Sequence, residues 1–458
     1  MMRDTARPQP APYDPLTART PGTGLPHSAS YWAATAGEAP PDDGEVAAAV
    51  ETDVAIIGGG YTGLACAYFL ARDYGIMPLV LEANRSGWGC SGRNGGFARA
   101  AIGRHAWGRA IDLWGRETAG LVFRQALDAV GTVREFIAAG AVCDAIEPGH
   151  LKIAHRPSRA QGLRAEAELL QREFDYPASY LAAAEVRAGH IGGTQAHGAL
   201  RVPDALAVHP LKLAHGVHRL ARAAGATVHA ASPVLDWRKA GAEHRLRTPH
   251  GVVHARRVVL ATNGYTPEHL HACVRGTTLP VLSHIIVTRP MTAAEKQASG
   301  FATEHVLTDS RHLLYYWRRL PDDRILFGGR GMVRDDPAGY ARQREFLLAE
   351  LKAKLPALRD ITVDYDWWGW VCLTRDLIPH VHRAPTDDSV SYAIGYQGSG
   401  VAYGLHAGRL LARRLAGDDR GLLIPATATP LPRFPLPIFR RTAQRAAYFW
   451  YRYLDNRD

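Results

Sequence analysis

Four stretches of this sequence carry glycines spaced so that backbone can lie against a ligand. In Gly58-Gly-Gly60-Tyr61-Thr62-Gly63 the first glycine makes a tight turn, the second admits a pyrophosphate to the amides, and Gly63 lets a helix pack closely on a strand. Glu82, about 20 residues further on, would accept hydrogen bonds from ribose hydroxyls and repel a 2′-phosphate, with Ala83 beside it. The second stretch, Ser91-Gly92-Arg93-Asn94-Gly95-Gly96-Phe97, sets one cation and one carboxamide among glycines. The third, Leu260-Ala261-Thr262-Asn263-Gly264, reads as the end of a strand. The fourth, Gly395-Tyr-Gln-Gly398-Ser399-Gly400-Val401, reads as the entry to a helix, whose first N–H groups would face negative charge. The fingerprint predicts a dinucleotide without choosing between NAD and FAD. The downstream glycine elements favour a flavin, whose pyrimidine edge becomes electron-rich on reduction.

The elements that would position these groups are legible around them. DVAIIG is a β-branched strand, GGYTG a turn, LACAYFLARDYG a helix closed by Gly75, and PLVLE a second strand, which together make a right-handed strand-helix-strand unit. Helices are expected over 113–140, 209–225 and 338–355, and a hairpin through RLRTPHGVVHARR. Strand-like runs over 276–333, separated by turn residues, predict an antiparallel sheet. The fold class is therefore α/β: a Rossmann-like nucleotide domain from 51–150, 203–275 and 365–415, with a mainly antiparallel β substrate domain from 151–202 and 276–364. An irregular arm (1–50), with SYWAATAG as its aromatic anchor, precedes them. A proline-rich tail (416–458) ending in a short aromatic helix follows.

Composition narrows the classes. The chain has 458 residues, 47% hydrophobic and 21% charged, which indicates globular domains. Its formal charge of +10 is spread along the chain without a basic-aromatic module, so no nucleic-acid partner is expected. Five cysteines without a paired framework point to reduced thiols and a cytoplasmic setting. The opening MMRDTARPQPAPYDP has no apolar run to serve as a secretory signal. Val54–Ala71 carries no charge, but its three consecutive glycines fit a strand, turn and buried helix rather than a membrane span. The His215/His218 and His380/His382 pairs lack further ligands at a diagnostic spacing, so no metal is expected.

In their order, GGGYTGL, SGRNGGF, ATNGY, RILFGGR and GYQGSGVAYGLHAG resemble the D-amino-acid oxidase and glycine oxidase type of FAD-dependent amine oxidoreductases, and most closely the branch acting on gamma-glutamylputrescine. The resemblance spans about residues 29–415. It implies FAD, held without a covalent bond, in a domain assembled from separated segments. Val234 would contact adenine through its backbone, Ser91 to Phe97 would run along the flavin, and Gly398 to Val401 would lie at its pyrimidine end. It implies oxidation of an amine to an imine and then an aldehyde, with gamma-glutamylputrescine or a related amine as substrate and O2 or another acceptor taking the electrons. N-methyl or D-amino acids are the alternative substrates, with Arg318 or Arg330 as a carboxylate clamp. A flavin-binding scaffold without turnover is the alternative of another class.

Catalytic candidates are His284, in a strand where it would face the flavin, and Tyr316, which alternates with Trp317 across a sheet. Trp367, Trp368 and Trp370 would wall a cavity for an aliphatic amine. Cys372 is read as a buried apolar residue rather than a covalent attachment point.

Overall fold

The computed structural model describes residues 13–418, 422 and 424–457. The opening stretch 1–12, and with it most of the segment read as lacking a secretory signal, lies outside the described residues, as does part of the proline-rich tail.

The strand Ala49–Ile57 lies at the centre of the first sheet because its last residues are apolar on both faces, and Val54, Ala55 and Ile56 are fully buried. On one side it pairs in parallel with Leu79–Leu81, which pairs in turn with Thr227–His229. On the other it pairs with Val252–Leu260, followed by Asp387–Ile394. An antiparallel strand, His380–Ala384, closes that edge, and the hairpin Asp236–Ala240/Glu243–Arg247 extends from Val252–Leu260. The helix Tyr61–Tyr74 ends where Gly75 takes a left-handed conformation. It is packed by helices Pro210–Ala223, Trp107–Ala138 and Ala402–Leu415 in a single apolar core. The helix expected over 113–140 begins earlier, at Trp107, and is interrupted at Gly115, where φ is 79°.

The second sheet is mainly antiparallel and has eight strands, in the order Val363–Thr374, Thr278–Thr288, Ile325–Arg330, Tyr316–Arg319, Val306–Asp309, His150–Ile153, Ala199–Val202 and Ser179–Leu181. Its core is covered by the helix Pro337–Lys354. One assignment read from the sequence is corrected. The chain stays in this sheet through Thr374, so 365–374 belongs with the antiparallel strands and not with the nucleotide domain, because Val363–Thr374 pairs along its whole length with Thr278–Thr288. A two-stranded ribbon, Phe97–Arg99 with Ala205–Ala207, joins the two sheets.

The arm supplies a short helix, Tyr31–Thr35, capped by Ser30. The terminal helix Arg440–Asn456 is tied down by Arg440, which donates to the Thr278 carbonyl at 2.6 Å and pairs with Glu268 at 2.9 Å. No helix among the described residues is long and apolar enough to cross a membrane.

Candidate functional site

A cavity of about 820 Å³ runs between the two sheets. The fingerprint region contributes Gly58, Gly60, Tyr61 and Thr62, the end of the second strand Glu82 and Ala83, and the irregular stretch after strand Thr227–His229 contributes Val234. The 91–97 loop contributes Ser91, Arg93, Asn94, Gly95 and Phe97. Ala261, Thr262 and Gly264 follow a sheet strand, and Gly398, Ser399, Gly400 and Val401 precede the helix Ala402–Leu415. Gly63, Gly92 and Gly96 do not border the cavity and serve close backbone packing instead. A Cβ on them would stand 1.9 Å from the Gly58 oxygen, 2.5 Å from the Gly87 oxygen and 2.1 Å from the Val208 oxygen respectively.

Three observations test whether a flavin dinucleotide suits this cavity. Neither Tyr61–Tyr74 nor Ala402–Leu415 is capped by its own N-cap side chain, and although Ser91 Oγ accepts from Tyr61 N–H at 2.9 Å, both helix starts face the cavity with their positive dipole ends toward negative charge. Glu82 is fixed by N–H donors from Gly59 (2.7 Å) and Asn84 (2.9 Å), which leaves lone pairs for hydroxyl donors, and burial raises its pKa. Arg93 donates through Nε to the Trp88 carbonyl (2.8 Å) and lies 4.3 Å over the Trp88 ring, while its buried Nη2 has no acceptor among the described residues. An unpartnered guanidinium nitrogen at the cavity wall calls for an acceptor from a bound group. The residues present therefore fit FAD.

Asn94 departs from expectation. Its amide folds the loop on itself, donating to the Cys90 and Ser91 carbonyls (both 3.0 Å) and accepting from Gly96 N–H at 2.7 Å. The loop is held from outside by two indoles: Trp32 donates to the Asn94 carbonyl and Trp367 to the Arg93 carbonyl, each at 2.9 Å. Trp32, only 2% exposed, gives the aromatic arm a definite purpose. Trp32→Phe removes one of these bonds and is expected to cost about 1 kcal/mol of stability and to speed loss of FAD on dilution. Thermal melting and the fluorescence of released flavin check this, and no change in either would contradict the strut role.

Several candidates are relocated by strand phase. Ser283 faces the cavity, so its neighbour His284 faces the other way, buried against Tyr340 and Trp368 and 3.2 Å from the Asp366 carboxylate. His284 thus lacks the access to the cavity that a catalytic role requires. Gly369 and Val371 border the cavity, whereas Trp368 stacks on Tyr340 and Trp370 donates to the Tyr13 carbonyl, so the tryptophans do not wall it. Arg318 is buried and donates to the Val208 carbonyl at 2.8 Å outside the cavity, which removes it as a clamp. Cys372 is fully buried and lies outside the cavity lining, and Cys90, which does border the cavity, donates to the Trp370 carbonyl.

Tyr316 does face the cavity. Its hydroxyl is 2.8 Å from Ser283 Oγ, its ring meets Phe97 edge-on, and burial pushes its pKa up to about 12. Arg330 lies beside it, with Nη2 3.4 Å from the Gln397 carbonyl. Arg330 and then burial push the nearby Arg104 down to about 9. Arg99, His150, Lys152 and Glu166 complete the wall; none of them carried a recognisable motif. At the outer side, His312 is gripped by Asp455 of the terminal helix, through its backbone N–H (2.7 Å) and ring (2.8 Å), and its ring stacks on Tyr451.

Two sheets with a glycine-rich helix start and a cavity between them fit a flavoprotein of the oxidoreductase class. The chain belongs to the DAO family: a family model described as FAD dependent oxidoreductase matches residues 53–414. It is 31% identical over 435 residues to gamma-glutamylputrescine oxidoreductase of Escherichia coli (strain K12), covering 92% of this chain and 97% of that one. It is 30% identical over 408 residues to a probable oxidoreductase, OrdL, of Rhizobium meliloti (88% and 92%). Its fold is similar to the crystal structure of glycine oxidase from Geobacillus kaustophilus, with a TM-score of 0.68 at 19% identity over 84% of this chain and 99% of that one.

Proposed function

We propose that this FAD-dependent oxidoreductase oxidises the carbon beside nitrogen in a long polar amine, gamma-glutamylputrescine or a related amide of a diamine, with O2 as the final acceptor. In balance, the amine loses two electrons and two protons to become an imine, O2 becomes hydrogen peroxide, and water converts the imine to aldehyde and ammonia. FAD, bound without a covalent link, would supply the two-electron acceptor. The observation that carries this reading is that the cavity lining includes, besides Tyr316 and Phe97, a charged wall of Arg99, Lys152 and Glu166. A small amino acid would leave that wall unused. The relationship to gamma-glutamylputrescine oxidoreductase supports the same substrate class.

The chain's own task is placement. Tyr316 and Phe97 meet edge to face and shape an apolar slot for the reacting carbon, where exclusion of water strengthens every charge interaction. Because its pKa is near 12, Tyr316 stays a phenol and orients the substrate through its hydroxyl without serving as a base. Tyr316→Phe is expected to slow flavin reduction about five- to tenfold while leaving the midpoint of its pH profile in place. A displaced midpoint would mean that the phenol titrates in the reaction.

A second reading, oxidation of an N-methyl or D-amino acid, is favoured by Arg330 alone, which stands beside Tyr316 where it would clamp a carboxylate. Peroxide release across gamma-glutamyl diamines, polyamines, N-methyl amino acids and D-amino acids separates the readings. The proposal expects the highest kcat/KM with gamma-glutamyl diamines; a preference for free amino acids would replace it with the second reading.

A further inference from the structure

The ribbon strand Phe97–Arg99 fixes a direction within the cavity. Gly95 lies against Tyr316, where a Cβ would stand 3.1 Å from the ring, and Phe97 meets that ring at 5.9 Å. Arg99, the next residue on the same face, also borders the cavity, while Ala98 between them is fully buried on the other side. From Phe97 to Arg99 the strand spans about 7 Å. Leu170, Leu200 and Val202 contribute apolar surface to the lining.

The Arg99 side chain has no hydrogen-bond or ion-pair partner among the described residues. Burial pulls its pKa down, and Glu166 is near enough to oppose that shift. Glu166 Oε2 is itself engaged by Lys152 at 2.8 Å, so the wall carries two cations and one carboxylate, with Glu166 Oε1 unbonded. A guanidinium that lines a cavity without a protein partner is free to receive an anion from a ligand. A lone anion would explain Arg99 but not a carboxylate with an open oxygen next to it; a zwitterion explains both.

Resting on the amine-oxidase reading above, we propose that Arg99 and Glu166, with Lys152 holding Glu166 in place, form a distal subsite for the zwitterionic α-amino-acid head of the substrate. Arg99 receives the carboxylate in a two-pronged contact, and Glu166 Oε1 accepts from the ammonium. In the gamma-glutamyl amide of a four-carbon diamine, nine bonds separate the reacting carbon from the carboxylate carbon. Fully extended they span about 11 Å, long enough to pass Phe97 and reach the Arg99 side chain from the Tyr316 slot.

The test uses full-length FAD-loaded enzyme and three substrates: gamma-glutamylputrescine, glutarylputrescine, which lacks the ammonium, and N-acetylputrescine, which lacks the whole head. Arg99→Met should cut the preference for gamma-glutamylputrescine over N-acetylputrescine about 50-fold, with the loss falling on KM rather than on the saturating rate of flavin reduction. Arg99→Lys should recover part of it. Glu166→Gln should reduce the preference for gamma-glutamylputrescine over glutarylputrescine about tenfold. Flavin content and melting temperature identify variants that fail to fold, in which case Arg99→Lys alone carries the comparison. If wild-type enzyme oxidises gamma-glutamylputrescine but these ratios do not move, the subsite is wrong and the amine-oxidase reading stands. If no amine reduces the bound flavin, both fall together.

Discussion

Gly63→Ala yields a protein that holds no flavin. The added methyl would stand 1.9 Å from the Gly58 carbonyl oxygen and 3.2 Å from the Ile56 side chain. That oxygen is main chain at the end of the central strand, so it can retreat only by moving the turn itself. The turn has no slack. Gly58 sits at φ 112°, a conformation other residues rarely adopt, and a Cβ on it would stand 2.8 Å from the Ala261 oxygen. Overpacking of this kind costs about 3 kcal/mol or more, and the helix start that faces the cavity is displaced along with it. Purified Gly63→Ala should be colourless or nearly so and should melt well below the parent. Full flavin occupancy in this variant would show that helix Tyr61–Tyr74 does not receive the cofactor.

The second large effect concerns pH. Arg330 stands beside Tyr316, and its field, together with burial, pushes the Arg104 guanidinium down to about 9. The same field disfavours a protonated amine at the reaction slot, and only the neutral amine can give up its electrons. An aliphatic ammonium has an ordinary pKa of about 10.4, so at neutral pH the unassisted neutral fraction is small. Removing a nearby like charge raises the pKa of the bound amine, because its cation is then less repelled. Arg330→Met is therefore expected to move the rising limb of the pH profile for flavin reduction about 1–2 units toward alkaline pH. At pH 7 the rate should fall about 10- to 100-fold, with recovery at high pH. The sign is diagnostic: if Arg330 clamps an α-carboxylate, the substitution raises KM for amino acids and high pH brings no recovery.

Gly63 and Glu82 belong to a strand-turn-helix-strand unit that is contiguous in the chain, so their placement was legible from spacing alone, and the αL stop at Gly75 was equally local. The opposite facing of Tyr316 and Trp317 followed from strand alternation, and Trp317 indeed lies in the core beneath the second sheet. Alternation without its phase misled at His284, where the cavity belongs to Ser283, and at Trp368 and Trp370, where it belongs to Gly369 and Val371. Phase is set by which face the sheet buries, and that depends on partners far away in the chain.

The charged wall was least legible. Lys152 reaches it because His150–Ile153 pairs with Val306–Asp309 and Ala199–Val202, and Glu166 because its helix, Ala160–Phe174, packs on Ala199–Val202 and Ser179–Leu181. Arg99 arrives from a ribbon whose other strand is more than a hundred residues away. No local spacing signals such a meeting. The arm was recognised as an aromatic anchor, but its partner, the carbonyl of Asn94, emerged only from tertiary packing.

The central claim is that the cavity holds FAD and delivers an amine to it. Anaerobic addition of gamma-glutamylputrescine to the yellow holoprotein tests this most directly. The account predicts that the visible flavin absorbance bleaches within the mixing experiment and returns, with stoichiometric hydrogen peroxide, when O2 is admitted. A protein that carries stoichiometric FAD yet keeps its colour with gamma-glutamylputrescine and every other amine supplied would contradict it.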